Sequence, residues 1–280
     1  MPSFDTPDPI TVTAYVYSGS IRFTAGDRSD TVVDVTPRDP KRDQDVRAAD
    51  QTEVAFASGV LTVRTPKANL VGRSGNVDVT VGLPAGSHVD TSGAGVQVLG
   101  EGLLGEVRVK SSAGDVRLDA TGPLHVTAQH GLTTVERVDG PAEITTSTGN
   151  LRVGVVNGPA TLKNAHGTTT VGTVTGELRV SSSHGGVDIT HARSSVTGTT
   201  THGHIRVAEV ARGTVRLETS NGSMEIGIRE GTAAWLDISS TRGQVRNTLA
   251  PSEAPERNEE TAEVRARTNW GNVDVFRARA

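Results

Sequence analysis

A glycine followed by two alternating apolar residues, G-x-h-x-h, recurs along most of this 280-residue chain at a period of about eighteen. It opens at Gly75 (Val77/Val79) and Gly114 (Val116/Leu118) and continues at Gly149, Gly185, Gly203, Gly222 and Gly271. Gly131 and Gly167 fit with Thr133/Val135 and Thr169/Val171; Gly243 fits half-way with Val245/Asn247, and Ala94 between two glycines precedes Val96/Val98. About nine residues before many of these anchors lies a second copy, opened by Gly105, Gly122, Gly140, Gly158, Gly176 and Gly213, and once by Ser194. Apolar residues two apart have the period of a strand. A glycine before each strand supplies a turn residue able to take positive φ. Each unit is thus two short strands that cannot bury an apolar face alone, whereas stacked units make a continuous core.

The aromatic residues agree with a thin core. There are only eight, and none lies between Ala57 and Ala234. Large globular cores use aromatics as their bulkiest packing units, so a conventional two-domain enzyme core is not expected. The spacing predicts an all-β, elongated, two-sheeted β-solenoid of about eighteen residues per coil, two strands per coil and about ten coils, with irregular β caps. An antiparallel double-layer β repeat is the alternative, because the register does not fix strand direction. Residues 1–70 are expected as an N-terminal β cap with strands over Ile10–Phe23 and Val54–Val63 and a charged stretch, Arg38–Asp50, between them. Residues 71–248 form the repeat, and 249–280 a polar loop (Pro251–Glu260) leading to capping strands, one of them over Ala262–Thr268. The positions between the apolar pairs are polar, and Asp188, Arg206, Glu225 and Arg246 alternate in sign, as cross-strand neighbours on a solvent face do. Hydroxyl pairs just before the anchors (Ser111-Ser112, Thr145-Thr146, Ser181-Ser182, Thr199-Thr200, Thr219-Ser220) are expected to form a ladder along one corner.

From Val79–Ser87 (VTVGLPAGS) the chain runs into SGAGVQV, SAGDVRL and then repeated [ST]-x-x-G-x-[VIL]-x-[VI]. In these motifs it resembles the bacterial putative-adhesin family, a β-strand-repeat domain of unknown function also called toastrack, over roughly residues 10–277. The resemblance implies an all-β repeat fold and no established enzymatic activity. Relatives of this kind are often secreted or membrane-tethered and associated with cell-envelope stress systems.

Bulk properties narrow the partners. The net charge of −4 comes from interspersed Lys/Arg and Asp/Glu with no basic block, so a nucleic-acid partner is not expected. Zero cysteines exclude a disulfide framework and a cysteine-based metal site. The opening MPSFDTPDPITV has neither a basic nor an apolar leader segment, and no apolar run has the length of a membrane span. The expected location is the cytoplasm.

The sharpest candidate site is a histidine row. His130, His166, His184 and His202 each precede an anchor glycine, at spacings of 36, 18 and 18. Coils stacked in register would make His166, His184 and His202 neighbours, with His130 and His204 as further members. Such a row would bind Zn²⁺ or Ni²⁺ or respond to pH; His-Gly is equally turn chemistry, and no other cofactor is expected. Asp188 and Glu225 share an outward column, but Arg206 lies between them, which favours a charge ladder over a paired acid–base site. His184-Gly185-Gly186-Val187-Asp188 is a single partial match to a calcium-binding nonapeptide, and no phosphate-binding loop occurs. The expected function is a non-catalytic, adhesin-like scaffold that binds a protein or cell-envelope component or self-associates. An ion- or pH-sensing domain and a carbohydrate-active β-helix enzyme are the alternatives.

Overall fold

The computed structural model describes residues 1–66, 75–250 and 260–278. The boundary expected between residues 70 and 71 lies outside them, as does the polar loop expected over Pro251–Glu260, apart from Glu260 itself. Among the described residues there are twenty-six strands and one short helix, so the chain is all-β. Contacts divide it into two units, Met1–Asp139 and Gly140–Ala280.

In the C-terminal unit each strand as far as Ile205–Val210 pairs in parallel with the strand two places along, and the antiparallel alternative does not hold there. One ladder runs Ala142–Thr148, Ala160–His166, Leu178–His184, Val196–His202 and Gly213–Asn221. The other runs Leu151–Val156, Thr169–Val174, Val187–Ala192, Ile205–Val210 and Met224–Ile228. Most neighbours are offset by the eighteen residues of the repeat, as in Leu162↔Val180 and Val171↔Ile189. The alternating residues Ile144, Leu162, Leu178, Val187, Ile205 and Leu217 are buried, as the strand period requires. A third inward position closes each second strand: Val156, Val174, Ala192, Val210 and Ile228 are all buried.

Sequence order and spatial order part at the end of this unit. The strand expected over Ala262–Thr268 is present as Glu260–Trp270, but it lies between Gly213–Asn221 and Thr232–Arg242. Val273–Arg277 likewise lies between Met224–Ile228 and Val245–Asn247. The last coil in sequence is therefore an interior coil, and the coil of residues 232–247 takes the edge. The side chains explain the order. Val264, Ala266, Val273 and Val275 are buried on both sides, whereas the edge coil leaves Val245 43% exposed and puts Asn247 opposite Val275.

The N-terminal unit repeats the device. Thr11–Tyr15 lies between Val60–Arg64 and the start of the long strand His88–Leu104, and Ser18–Gly26 lies between Val77–Pro84 and the end of that strand. Val107–Ala113, Val116–Thr121, Leu124–His130 and Thr133–Val138 extend these pairings in parallel within this unit. Antiparallel pairing is found where Glu53–Ala57 meets Val60–Arg64 and where Asp30–Pro37 meets Ser3–Asp5 and Val77–Pro84. The charged stretch contains a helix, Asp43–Asp50, which the repeat pattern does not announce. Its anchor is Asp45, 2% exposed, whose carboxylate accepts hydrogen bonds from the backbone N–H groups of Asp39 (3.2 Å) and Asn76 (2.9 Å).

Candidate functional site: a row of stacked imidazoles

The turn that ends each first strand sets the site. Gly149, Gly167, Gly185 and Gly203 have φ of 131°, 132°, 145° and 152°, a region that residues with a Cβ rarely adopt. Neighbouring turns also touch: a Cβ on Gly185 would lie 2.7 Å from the Gly167 carbonyl carbon, far inside contact distance. Glycine thus lets the coils approach, and the residue before it is turned outward at the corner.

Equivalent corner residues then line up. Thr148, His166, His184, His202, Asn221, Trp270 and Arg242 are successive register partners along one ladder. The rings of His166 and His184 stack with centroids 5.0 Å apart at 3°, and those of His184 and His202 at 4.9 Å and 5°. All three are exposed, and none of their side chains has a hydrogen-bond or ion-pair partner among the described residues. Trp270 is 52% exposed, with the Arg242 guanidinium 4.3 Å from its ring centroid. A cation over an indole face is attracted by the ring quadrupole.

Neither of the other two candidate histidines is a direct register partner of these three. His130 belongs to the N-terminal unit and pairs with Ala113. His204 precedes a strand of the second ladder, and its Nε2 is 3.2 Å from Asp188 Oδ1. Among the described residues no group of three or more His, Asp or Glu side chains converges on a metal position. In the row this follows from geometry: imidazole lone pairs lie in the ring plane, and parallel rings aim them along parallel lines.

Two residues before each corner runs a buried polar line: Thr146, Asn164, Ser182, Thr200, Thr219 and Thr268, in register. It matches the expected hydroxyl ladder in part, with an amide filling one rung. Thr219 Oγ1 donates to the Gly203 carbonyl (3.2 Å) and Thr268 Oγ1 to that of Gly222 (3.0 Å). Asn164 Nδ2 donates to the carbonyls of Gly149 (3.1 Å) and Gly167 (3.2 Å), tying two turns together. Asn164→Ala removes both bonds at a buried position and is expected to lower stability by about 1–3 kcal/mol in chemical denaturation. An unchanged midpoint would show that this amide does not hold the corner.

On the second ladder the outward column reads Asp188, Arg206, Glu225, Asp274 and Arg246. The intercalated coil inserts Asp274 between Glu225 and Arg246, so the strict alternation expected from the sequence ends there. Arg206 separates Asp188 from Glu225 and pairs with Glu225 at 3.4 Å. Nearby, Arg206, Ala208, Thr248, Phe276 and Arg277 line a groove of about 560 Å³. The Arg277 guanidinium is already engaged there by the carbonyls of Arg229 (2.9 Å) and Thr232 (2.8 Å).

Glycine-anchored parallel ladders with exposed side chains in register rows define an all-β repeat protein. The chain belongs to the family described as Toastrack DUF4097, whose model matches residues 10–276. No functionally curated protein matches it. Among solved structures it is similar to a "putative adhesin" of Parabacteroides merdae (14% identity, 80% of this chain, 93% of that chain, TM-score 0.43). It is similar also to a "putative adhesin" of Bacteroides fragilis (12%, 98%, 95%, TM-score 0.38). A third is a "putative lipid binding protein" of Parabacteroides distasonis (11%, 99%, 96%, TM-score 0.45). No helix among the described residues is long and apolar enough to cross a membrane.

Proposed function

We propose that the protein is a non-catalytic interaction scaffold that presents register columns of polar side chains to a protein or cell-envelope component. In this reading the two ladders are opposed faces of a thin wall, and the partner lies along one face. The observation that carries the proposal is the arrangement of exposed charge: it runs in straight columns and does not converge on a point. Thr161, Arg179, Thr197, Arg216, Arg265 and Asp237 form one such column. Arg179 pairs with Glu177 at 2.8 Å and Arg265 with Glu263 at 2.7 Å, both within half-exposed surroundings. Exposed pairs of this kind add little to stability, which leaves the column available for recognition. Catalytic sites, by contrast, gather acid, base and substrate-binding groups around one position.

The test is capture of a partner from extracts of the native host by the full chain and by a triple variant, Arg179→Glu, Arg216→Glu and Arg265→Glu. The variant should remain folded with a melting point lowered by only a few degrees, because Arg265→Glu also faces Asp237, and the captured partner should fall by about tenfold or more, since like charges brought face to face are costly. Equal capture by both proteins would defeat this face as the docking surface. Turnover in a screen of polysaccharides would replace the scaffold reading with the carbohydrate-active one.

A further inference from the structure

The three stacked imidazoles have a property that neither turn formation nor a polar docking face requires. All three residues are exposed, and their side chains have no hydrogen-bond or ion-pair partner among the described residues. Two other histidines of the same unit do face carboxylates, His204 beside Asp188 and His191 with Nδ1 3.7 Å from Glu209 Oε1. The row is thus a set of three free nitrogen ligands at 5.0 and 4.9 Å spacing, with no carboxylate among its register partners. A metal–imidazole bond is about 2.0–2.1 Å, so two nitrogens on one ion stand roughly 3 Å apart. The ring torsion of histidine is broad and soft. Two neighbouring rings tilted toward each other close that gap without moving the backbone. Three rings do not reach a common point, because the outer two are about twice the spacing apart.

We propose that the row binds one divalent transition-metal ion through two imidazoles at a time, with His184 a ligand in both alternatives, His166–His184 and His184–His202. Water completes the coordination. Imidazole without carboxylate selects Ni²⁺, Cu²⁺ or Zn²⁺, whereas Mg²⁺ and Ca²⁺ require oxygen ligands. Because the centre ring is shared, filling one pair empties the other, and the row takes a single ion.

The prediction concerns inequality among three similar residues. Removing an outer ring leaves one intact pair out of two, a statistical loss of about twofold. Removing the centre leaves two isolated ligands and forfeits the gain from holding both on one frame, about tenfold or more. The experiment is calorimetric titration of the untagged full chain with NiCl₂, repeated for His166→Asn, His184→Asn and His202→Asn, with MgCl₂ as control. Titration with ZnCl₂ while the imidazole nitrogens are followed by NMR identifies the ligands directly. Asparagine is chosen because Asn221 fills the same corner position natively, and His184→Thr, which copies the threonine at corner position 148, is the second variant should the first melt early. One ion per row, a loss of tenfold or more for either His184 variant and about twofold for the outer ones is the expected result. Equal losses at all three positions, or no binding below about 1 mM, would overturn the proposal.

Discussion

A chain ending at residue 259 should melt more than about 10 °C below the full protein, because the segment it lacks is an interior coil. Loss of a terminal repeat ordinarily removes one interface and leaves the rest of a stack intact. Here Glu260–Trp270 and Val273–Arg277 are paired on both sides. Their removal takes away Val264, Val273 and Val275, each worth about 1.5–3 kcal/mol of burial, and parts two coils. The edge coil has one way to compensate, by sliding into the vacated place. In that register Asn247 replaces Val275 opposite Ile226, burying an amide in an apolar slot with only its local bond from the Leu249 N–H (3.0 Å), at about 1–3 kcal/mol. Losses of this sum exceed about 5 kcal/mol, and about 1 kcal/mol shifts the midpoint of a 150-residue unit by 2–4 °C. A truncated chain that melts within about 3 °C of the full one would show that the intercalated pairing does not hold the unit together.

Gly185→Val should be among the most damaging single substitutions in the chain, by more than about 3 kcal/mol in chemical denaturation. Two costs combine. The φ of 145° is hostile to a β-branched residue, a strain of about 1–3 kcal/mol. The new Cβ also meets backbone that cannot rotate away, the Gly167 carbonyl, whose turn is itself tied to this strand by the Gly167 N–H bond to the His184 carbonyl (2.9 Å). Either the two coils separate, which uncovers the apolar residues between them, or the turn rebuilds. Gly26→Ala is the matched control: nothing lies within 4 Å of its added Cβ and its φ is ordinary, so the change should stay within about 0.5 kcal/mol. Comparable losses at the two glycines would mean that close approach of the turns is not what the anchor positions protect.

The histidine row was legible as a spacing. Three histidines eighteen residues apart, each before a turn glycine, become neighbours as soon as the coils stack in register, and they do so at His166, His184 and His202. The parallel stacking of the rings was not legible, because it depends on side-chain torsions at the corner. His130 and His204 show the limits of the pattern. His130 shares the local motif in the other unit, where it pairs with Ala113, and His204, two residues from His202, precedes a strand of the other ladder and faces Asp188. That Trp270 fills the same slot before an anchor glycine is legible too; its place between Asn221 and Arg242 was hidden, because it enters through a strand whose place in space differs from its place in sequence.

Within the repeat, strand positions, inward and outward faces and the eighteen-residue register follow from the sequence alone, because period-two burial and glycine at positive φ are local properties of a few consecutive residues. In residues 1–66 the expected strands Ile10–Phe23 and Val54–Val63 are each two strands, Thr11–Tyr15 with Ser18–Gly26 and Glu53–Ala57 with Val60–Arg64. The tertiary structure decided the order of the coils at the chain's two ends, the helix anchored by Asp45, and which corner residues meet. These depend on contacts between segments far apart in the chain, where several pairings satisfy the same local pattern. The choice among them turns on how much apolar surface each coil has to bury on both sides. Asn247, a polar residue in an apolar slot, was the one sign in the sequence that the coil of residues 232–247 belongs at an edge.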